Sequence, residues 1–146
     1  MTPDDLNIRL QHFRVNEFME FIDRNEFKDC KWDDVFQSLF IESLMIFFPI
    51  PIFYLDGSKK GWKIIDGRQR IYAIDNFINH GFKLRNLEFL PECNNKYFNE
   101  LEGYLRARIT NAELKAYVIN PGTPDDVKSN IFNRIRMQIK NICGIT

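Results

Sequence analysis

Apolar residues at helical spacing begin at Val15, Phe18, Met19 and Ile22 and predict a short amphipathic helix over residues 15–25. Asp33 is a good N-cap for a second helical run reaching Phe47. Phe36, Leu39, Phe40, Leu44 and Phe47 nearly encircle that run, so burial on more than one side is expected. Pro49 ends it. The period then switches to that of a strand. Ile52 to Leu55 read as one strand, 56–61 with Gly57 and Gly61 as a hairpin loop, and 62–66 as the return strand. At Gly67 the period changes again: apolar residues at 71, 74, 77 and 78 predict a helix over 67–79, with Gly81 suited to its C′ position. Residues 82–84 read as a short strand, 86–100 as irregular, 101–110 as a helix and 113–119 as a strand. A turn at Pro121 and Gly122 leads to Thr123, the cap of a last helix marked by Pro124 at its start and by Asp125 and Asp126 in its first turn. These elements predict an α/β (α+β) domain, a small mixed sheet flanked by helices.

Composition narrows the class. The 146 residues are 45% hydrophobic and 27% charged, which fits one globular domain over 1–146 with a sizeable core. The 14 phenylalanines give bulk to that core and leave apolar surface for a partner. The net charge is zero and the pI about 6.7, unlike a generic basic nucleic-acid-binding domain, so any phosphate contact must come from a local cluster of arginines and lysines. Residues 106–146 are rich in both, whereas the first 35 carry many acids. Cys30, Cys93 and Cys143 lack metal-ligand spacing, and their odd number fits a reducing cytoplasm. The polar, acidic Met1 segment does not read as a secretion signal. The longest apolar stretch, 44–55, is too short for a bilayer and is broken by Pro49 and Pro51, so no membrane partner is expected. His12 and His80 stand alone and read as surface or capping residues.

The sharpest chemistry lies at the strand-to-helix junction Asp66, Gly67, Arg68, Gln69 and Arg70. A helix N-terminus presents free N–H groups and a partial positive charge. Two arginines in a first turn are therefore unfavourable, by about 0.3–1 kcal/mol each, unless an anion binds where amides and guanidinia converge. Gly67 permits close backbone approach to a ligand. Asp66, at the end of a strand, is a candidate for holding a phosphate-bound metal ion or orienting water. The alternative is structural: Arg70 shares a stripe with Ile74, Phe77 and Ile78 and would pair with a core acid such as Glu42, while Arg68 would be solvated.

The run from Ile64 to Ile71 resembles the V-I-D-G-Q-Q-R-L signature of the N-terminal domain family of GmrSD-type restriction proteins, whose fold is similar to ParB and sulfiredoxin. Three further stretches match in order. Leu39 to Leu44 followed by Pro49 to Phe53 is similar to L-I-E-S-L and P-I-P-P-I-F. Leu90-Pro91-Glu92 and Lys96 to Leu101 are similar to L-P-E and K-Y-F-S-D-L. Val127 to Arg134 is similar to V-x-x-I-F-x-R-L. The resemblance spans residues 13–140. It implies a bacterial role in defence against phage or foreign DNA. It also implies a motif associated with nucleotide binding and NTP hydrolysis in some members and with a ParB-like nuclease label in others. On that resemblance Asp66 and Arg70 are the catalytic candidates, Asp66 the metal candidate, and Gly67, Arg68, Gln69 and Arg70 the nucleotide- or phosphate-binding set. NTP is then ligand or substrate, Mg²⁺ its companion ion, and DNA or a separate effector subunit a further partner.

The chain also departs from the family. The P-x-F-Q-R-x-Y-V-W stretch is reduced to Trp32 and its following acids, and Arg136 to Asn141 follow Ile135 where the family has N-T-G-G and a loop. A shortened member without the larger C-terminal effector domain is expected. The second reading is accordingly a non-catalytic nucleotide or DNA sensor, or a partner-docking module.

Overall fold

The computed structural model describes residues 7–143, the side chains of 141–143 excepted; the Met1 segment and the Cys143 side chain lie outside this range. Its first element, β1 (Ile8–Arg14), is a strand that the sequence pattern does not announce. Four more regions follow the expected order: α1 (Val15–Phe21), α2 (Asp34–Met45), and the hairpin β2 (Phe53–Asp56) and β3 (Lys63–Asp66). Then come α3 (Arg68–Asp75), α4 (Gly103–Thr110), β4 (Glu113–Ile119) and α5 (Asp125–Cys143). The fold is α+β, with a four-stranded sheet in the order β1-β4-β2-β3. The β1–β4 and β2–β3 pairs are antiparallel, whereas β2 and β4 are parallel.

Several boundaries differ from the sequence expectation. α1 stops at Phe21, and residues 22–25 do not continue it: Arg24–Phe27 form a 3-10 turn capped by the Asp23 carboxylate, which accepts from Asn25 N at 3.0 Å. Bridging of Ile22 to Trp62 draws the chain off the helical path. Residues 82–84 are not a strand; Leu84 instead exchanges backbone hydrogen bonds with Asn95 and Lys96 across a loop. α2 ends before Phe47, which takes a positive φ of 60° and is exposed, as is Phe36. The helix is buried over much of its surface, but part of that buried surface is taken by Gln37, Ser38 and Glu42 and not by these rings. α3 runs on through a π turn over Asn76–His80 and stops at Gly81, whose φ is 81°.

Alternation along β4 sorts the sheet into two faces. Leu114, Ala116 and Val118 are buried with Phe13, Phe53, Leu55 and Ile64 in the main core, which α1 to α4 cover from that side. On the opposite face Tyr117 lies beside Tyr54, their rings stacked at 5.7 Å, and Tyr54 is paired with Asp66 across the hairpin. Asp56 belongs to the same face, two residues beyond Tyr54. Its buried carboxylate accepts from Ser58 N at 2.9 Å and pairs with Lys128 Nζ at 3.2 Å. Lys128 is in the first turns of α5, so this ion pair anchors α5 over the face opposite the main core. Among the described side chains of α5, Ile135 is buried, with Val127, Ile131 and Ile139 half-buried on the same stripe.

Two buried carboxylates are satisfied away from Arg70. Glu42 does not meet Arg70. It accepts three backbone N–H bonds, from Glu88 at 3.1 Å, Phe89 at 2.9 Å and Leu90 at 2.9 Å, and so holds the long irregular segment against α2. Asp75 accepts from Asn79 at 2.8 Å and pairs with Arg24 and, at 3.4 Å, with His80. His12 lies on the surface beside Glu113 at 2.6 Å.

Two outcomes follow for stability. Glu42→Gln places an amide NH₂ among three N–H donors. It should lower the unfolding free energy by about 2–3 kcal/mol, read as a lower urea midpoint at unchanged slope. Burial alone pushes the Asp56 carboxyl up, but the hydrogen bonds from Ser58 and Lys128 and the Lys128 charge outweigh it and hold it below the usual carboxylate range. A depressed folded-state value means stability that is present above the ordinary aspartate value of about 3.9 and lost as pH falls through the folded one. Urea midpoints measured from pH 5 down to pH 2 should therefore fall, and Lys128→Met should flatten that fall while lowering stability at neutral pH.

A candidate phosphate-binding site at the junction of β3 and α3

The junction is built around a single close approach. Gly67 sits between β3 and α3 with φ of 105°, a left-handed conformation that favours glycine. A Cβ at this position would stand 2.3 Å from Cδ1 of Phe53 and 3.1 Å from Nη2 of Arg70. Phe53 is fully buried in β2, so its ring cannot give way. The turn is tight because the core ring presses on it from below.

Arg70 completes this arrangement. Its guanidinium lies over the Phe53 ring at 4.1 Å from the centroid. It donates to the carbonyl oxygens of Pro51 and, at 3.4 Å, Ile52, and its Nη2 is 3.5 Å from Asp66 Oδ2. With 15% of its side chain exposed, burial pulls its pKa down and the Asp66 carboxylate partly restores it. Arg70 therefore ties the entry of β2, the end of β3 and the start of α3 together. The structural alternative to ligand binding is thus a pair of backbone carbonyls and Asp66, not Glu42.

Arg68 and Gln69 point elsewhere. Arg68 is half-exposed, and its nearest acid, Glu26, is 4.0 Å away. Glu26 is itself engaged, accepting from Ile64 N at 2.5 Å. Gln69 accepts a weak bond from the Cys30 thiol at 3.4 Å. Burial pushes the Cys30 thiol up against the lowering effect of Arg68, so it is a poor nucleophile.

A cavity of about 540 Å³ opens at this junction. Its walls bring Asp66, Gly67, Arg68, Gln69 and Arg70 together with two residues from elsewhere, Trp32 ahead of α2 and Arg136 of α5. Asp66 is about one-third exposed and shares its sheet face with Tyr54. Burial, Tyr117 and the Asp66 charge push the Tyr54 hydroxyl up, in that order. A smaller recess of about 280 Å³ adjoins through Arg68 and Gln69 and is lined by Asn25, Glu26, Asp29 and Cys30. The first-turn N–H groups of α3 have no partner inside the helix, since its first backbone bond runs from Ile71 N to Gly67 O at 3.1 Å.

All five residues singled out in the sequence thus lie at one cavity. Arg136 and Trp32 are the additions. Nothing in periodicity marks Arg136, because it stands on the polar side of an amphipathic helix. Trp32 reads in sequence only as a remnant of a family stretch. Among the described residues there is no cluster of three or more histidine, cysteine or acidic side chains able to cage a metal ion.

Searched against family models, curated proteins and solved structures, the chain matches none.

The geometry separates two kinds of variant. Gly67→Ala should lower stability by more than about 2 kcal/mol, combining left-handed strain with a clash against Phe53. Arg70→Ala should cost about 3 kcal/mol, as Asp66 and two carbonyls lose a charged donor, and Arg70→Lys about half of that. Arg68→Ala should leave the melting temperature within about 2 °C, since exposed ion pairs contribute little. Thermal denaturation of the four variants together checks this order.

Proposed function

We propose that this protein binds the phosphates of a nucleotide at the cavity between β3, α3 and α5. The supporting observation is that cationic side chains from two separate elements, Arg68 and Arg136, line one cavity with the glycine turn of a helix N-terminus. A helix N-terminus supplies amides and a positive potential to an anion, and arginine supplies planar, doubly donating contacts to phosphate. Arg70 acts mainly as a positioning residue in this reading, because its guanidinium is already committed to Pro51, Ile52 and Asp66. Gln69 contacts the ligand from the rim shared by the two recesses.

Magnesium fits this donor set only as an ion carried by the phosphates. Mg²⁺ is commonly held by one or two carboxylates, substrate phosphates and water, and Asp66 is the carboxylate on the cavity wall. When bound there, it would neutralise phosphate charge and orient water. The residues of the chain would do the rest: Arg68 and Arg136 hold the anion, Gly67 brings the backbone close, and Arg70 keeps Asp66 facing the cavity. On the sequence resemblance, the proposal extends to a cytoplasmic restriction or phage-defence role, with hydrolysis, DNA and an effector subunit as further elements of it. A non-catalytic sensor is the second reading. The engagement of Asp66 by Arg70 at 3.5 Å favours it, since the carboxylate already has a partner within the protein. No helix among the described residues is long and apolar enough to cross a membrane.

The experiment is a thermal-shift titration with each of the four NTPs and Mg²⁺, followed by a phosphate-release assay. A ligand that binds the native state alone raises the melting temperature by mass action. A shift at millimolar nucleotide that disappears in Arg68→Ala supports the site, and phosphate release divides enzyme from sensor. No shift with any nucleotide would remove the proposal.

A further inference from the structure

The two edges of the sheet differ. At β3 the edge is closed: Ile22 bridges Trp62, and the Glu26 carboxylate accepts from Ile64 N at 2.5 Å. At the other edge, β1 pairs with β4 along its whole length, from Ile8 to Arg14. The ladder continues past both ends, where Val15 N donates to Ala112 O at 3.0 Å and Asn120 N to Asn7 O at 2.7 Å. Hydrogen-bonded positions alternate in an antiparallel pair. Arg9, Gln11 and Phe13 therefore turn their backbone groups to β4, and Ile8, Leu10 and His12 turn theirs outward. Among the described residues no backbone group bonds to those outward N–H and C=O groups. Sheet edges are commonly closed by a covering segment, a bulge or a proline. β1 has neither bulge nor proline, and Leu10 at its centre is 49% exposed.

The side chains along this edge define what it accepts. Phe13 faces the main core, so Ile8, Leu10, His12 and Arg14 share the opposite face. They form two apolar positions followed by two basic ones. Leu10 lies beside Tyr117, which is stacked on Tyr54, so an apolar row crosses the sheet and ends, exposed, at β1. Further along, His12 is paired with Lys115 and Arg14 with Glu113. Glu113 is the one acid of these rows, and His12 holds it at 2.6 Å. Arg9, on the other face, bonds to Gln11 and Asn120, which are neutral. Arg9, Arg14 and Lys115 thus stand against a single carboxylate. A second copy of the chain complements this edge poorly. Two-fold pairing is antiparallel, so the basic half of one β1 would lie against the apolar half of the other, and the cations would gain no acid.

We infer that β1 is a docking edge for an extended acidic segment of a partner protein, which adds a strand to the sheet with apolar side chains beside Ile8 and Leu10 and carboxylates beside His12 and Arg14. Main-chain hydrogen bonds to the outward groups supply affinity, and the alternate side chains supply selection. β1 and β3 form opposite edges of the sheet, so the inference stands or falls independently of phosphate binding at the β3–α3 cavity.

The test uses the full chain and two synthetic peptides capped at both ends, Val-Thr-Val-Thr-Glu-Thr-Glu and its reverse, which cover the two strand directions. Amide hydrogen exchange is followed residue by residue by NMR, and affinity by fluorescence polarisation at low salt. In the free protein the amides of Ile8, Leu10 and His12 should exchange fast and those of Arg9, Gln11 and Phe13 slowly. One of the peptides should protect the first set and leave the second as it was. Lysine in place of both glutamates should weaken binding about tenfold, and Arg14→Glu in the protein should reverse that preference. Leu10→Pro removes an N–H that no ladder bond uses, a position where a strand tolerates proline, and should abolish binding. A peptide N-methylated at the amides facing β1 makes the same test without altering the protein, and it should not bind. No binding of either peptide at millimolar concentration, equal binding of the N-methylated or lysine peptides, or protection confined to residues outside β1 overturns the inference. A wild-type chain that sediments as a dimer with the outward amides already protected assigns the edge to a second copy and overturns it as well.

Discussion

The contact between Gly67 and the ring of Phe53 fixes the geometry of everything around the candidate site. Phe53 is held by the core and by its parallel pairing with Ala116 of β4. Because its ring stands where a Cβ at position 67 would lie, the chain turns in a left-handed conformation open to glycine. That turn sets the direction in which α3 leaves the sheet. It also places the Arg70 side chain over the same ring, where the cation–π contact and the bonds to Pro51 and Ile52 close the arrangement. A displacement of Phe53 would therefore reach the helix start, the entry of β2 and Asp66 together.

Buried carboxylates perform the corresponding task away from the site. A carboxylate without partners in a protein interior is costly, but one accepting several N–H bonds is well satisfied. Glu42 uses this to hold a segment that lacks regular structure, where three consecutive backbone donors would otherwise need water. Asp75 does the same at the π turn ending α3, with Arg24, Asn79 and His80 around it. Asp56 binds the start of α5. The long irregular stretch and the last helix are thus attached by charge-assisted hydrogen bonds.

This division of labour shapes the chemistry available at the cavity. An arginine whose donors are already used stabilises the scaffold and lends less to a ligand, while an exposed arginine with no acid in hydrogen-bond reach gains most when an anion arrives. Arg70 is of the first kind. Arg68 and Arg136 are of the second. A site assembled this way has one half in the sheet and the glycine turn, and its second half on α5, which is tied down by the Lys128–Asp56 pair and the buried Ile135.

Sequence alone determined the elements with strong local signals. The period switch at Gly67, the cap at Asp33, the Pro124 start of α5 and the hairpin around Gly57 and Gly61 are all legible because dihedral preference and local hydrogen bonding act within a few residues. It also located the five residues at 66–70, since arginines in a helix first turn contradict the helix dipole. The strand β1 was hidden: its residues, among them Arg9, Gln11, His12 and Arg14, carry little apolar alternation, and their pairing with β4 joins positions a hundred residues apart. Residues 82–84 showed the opposite error, a strand-like composition without a strand to pair with. The partner of Glu42, the commitment of Arg70 to backbone carbonyls and the arrival of Arg136 beside Arg68 were decided by tertiary structure alone. Each depends on which backbone groups are left unpaired and which surfaces meet once the chain has folded, and neither quantity is local in sequence.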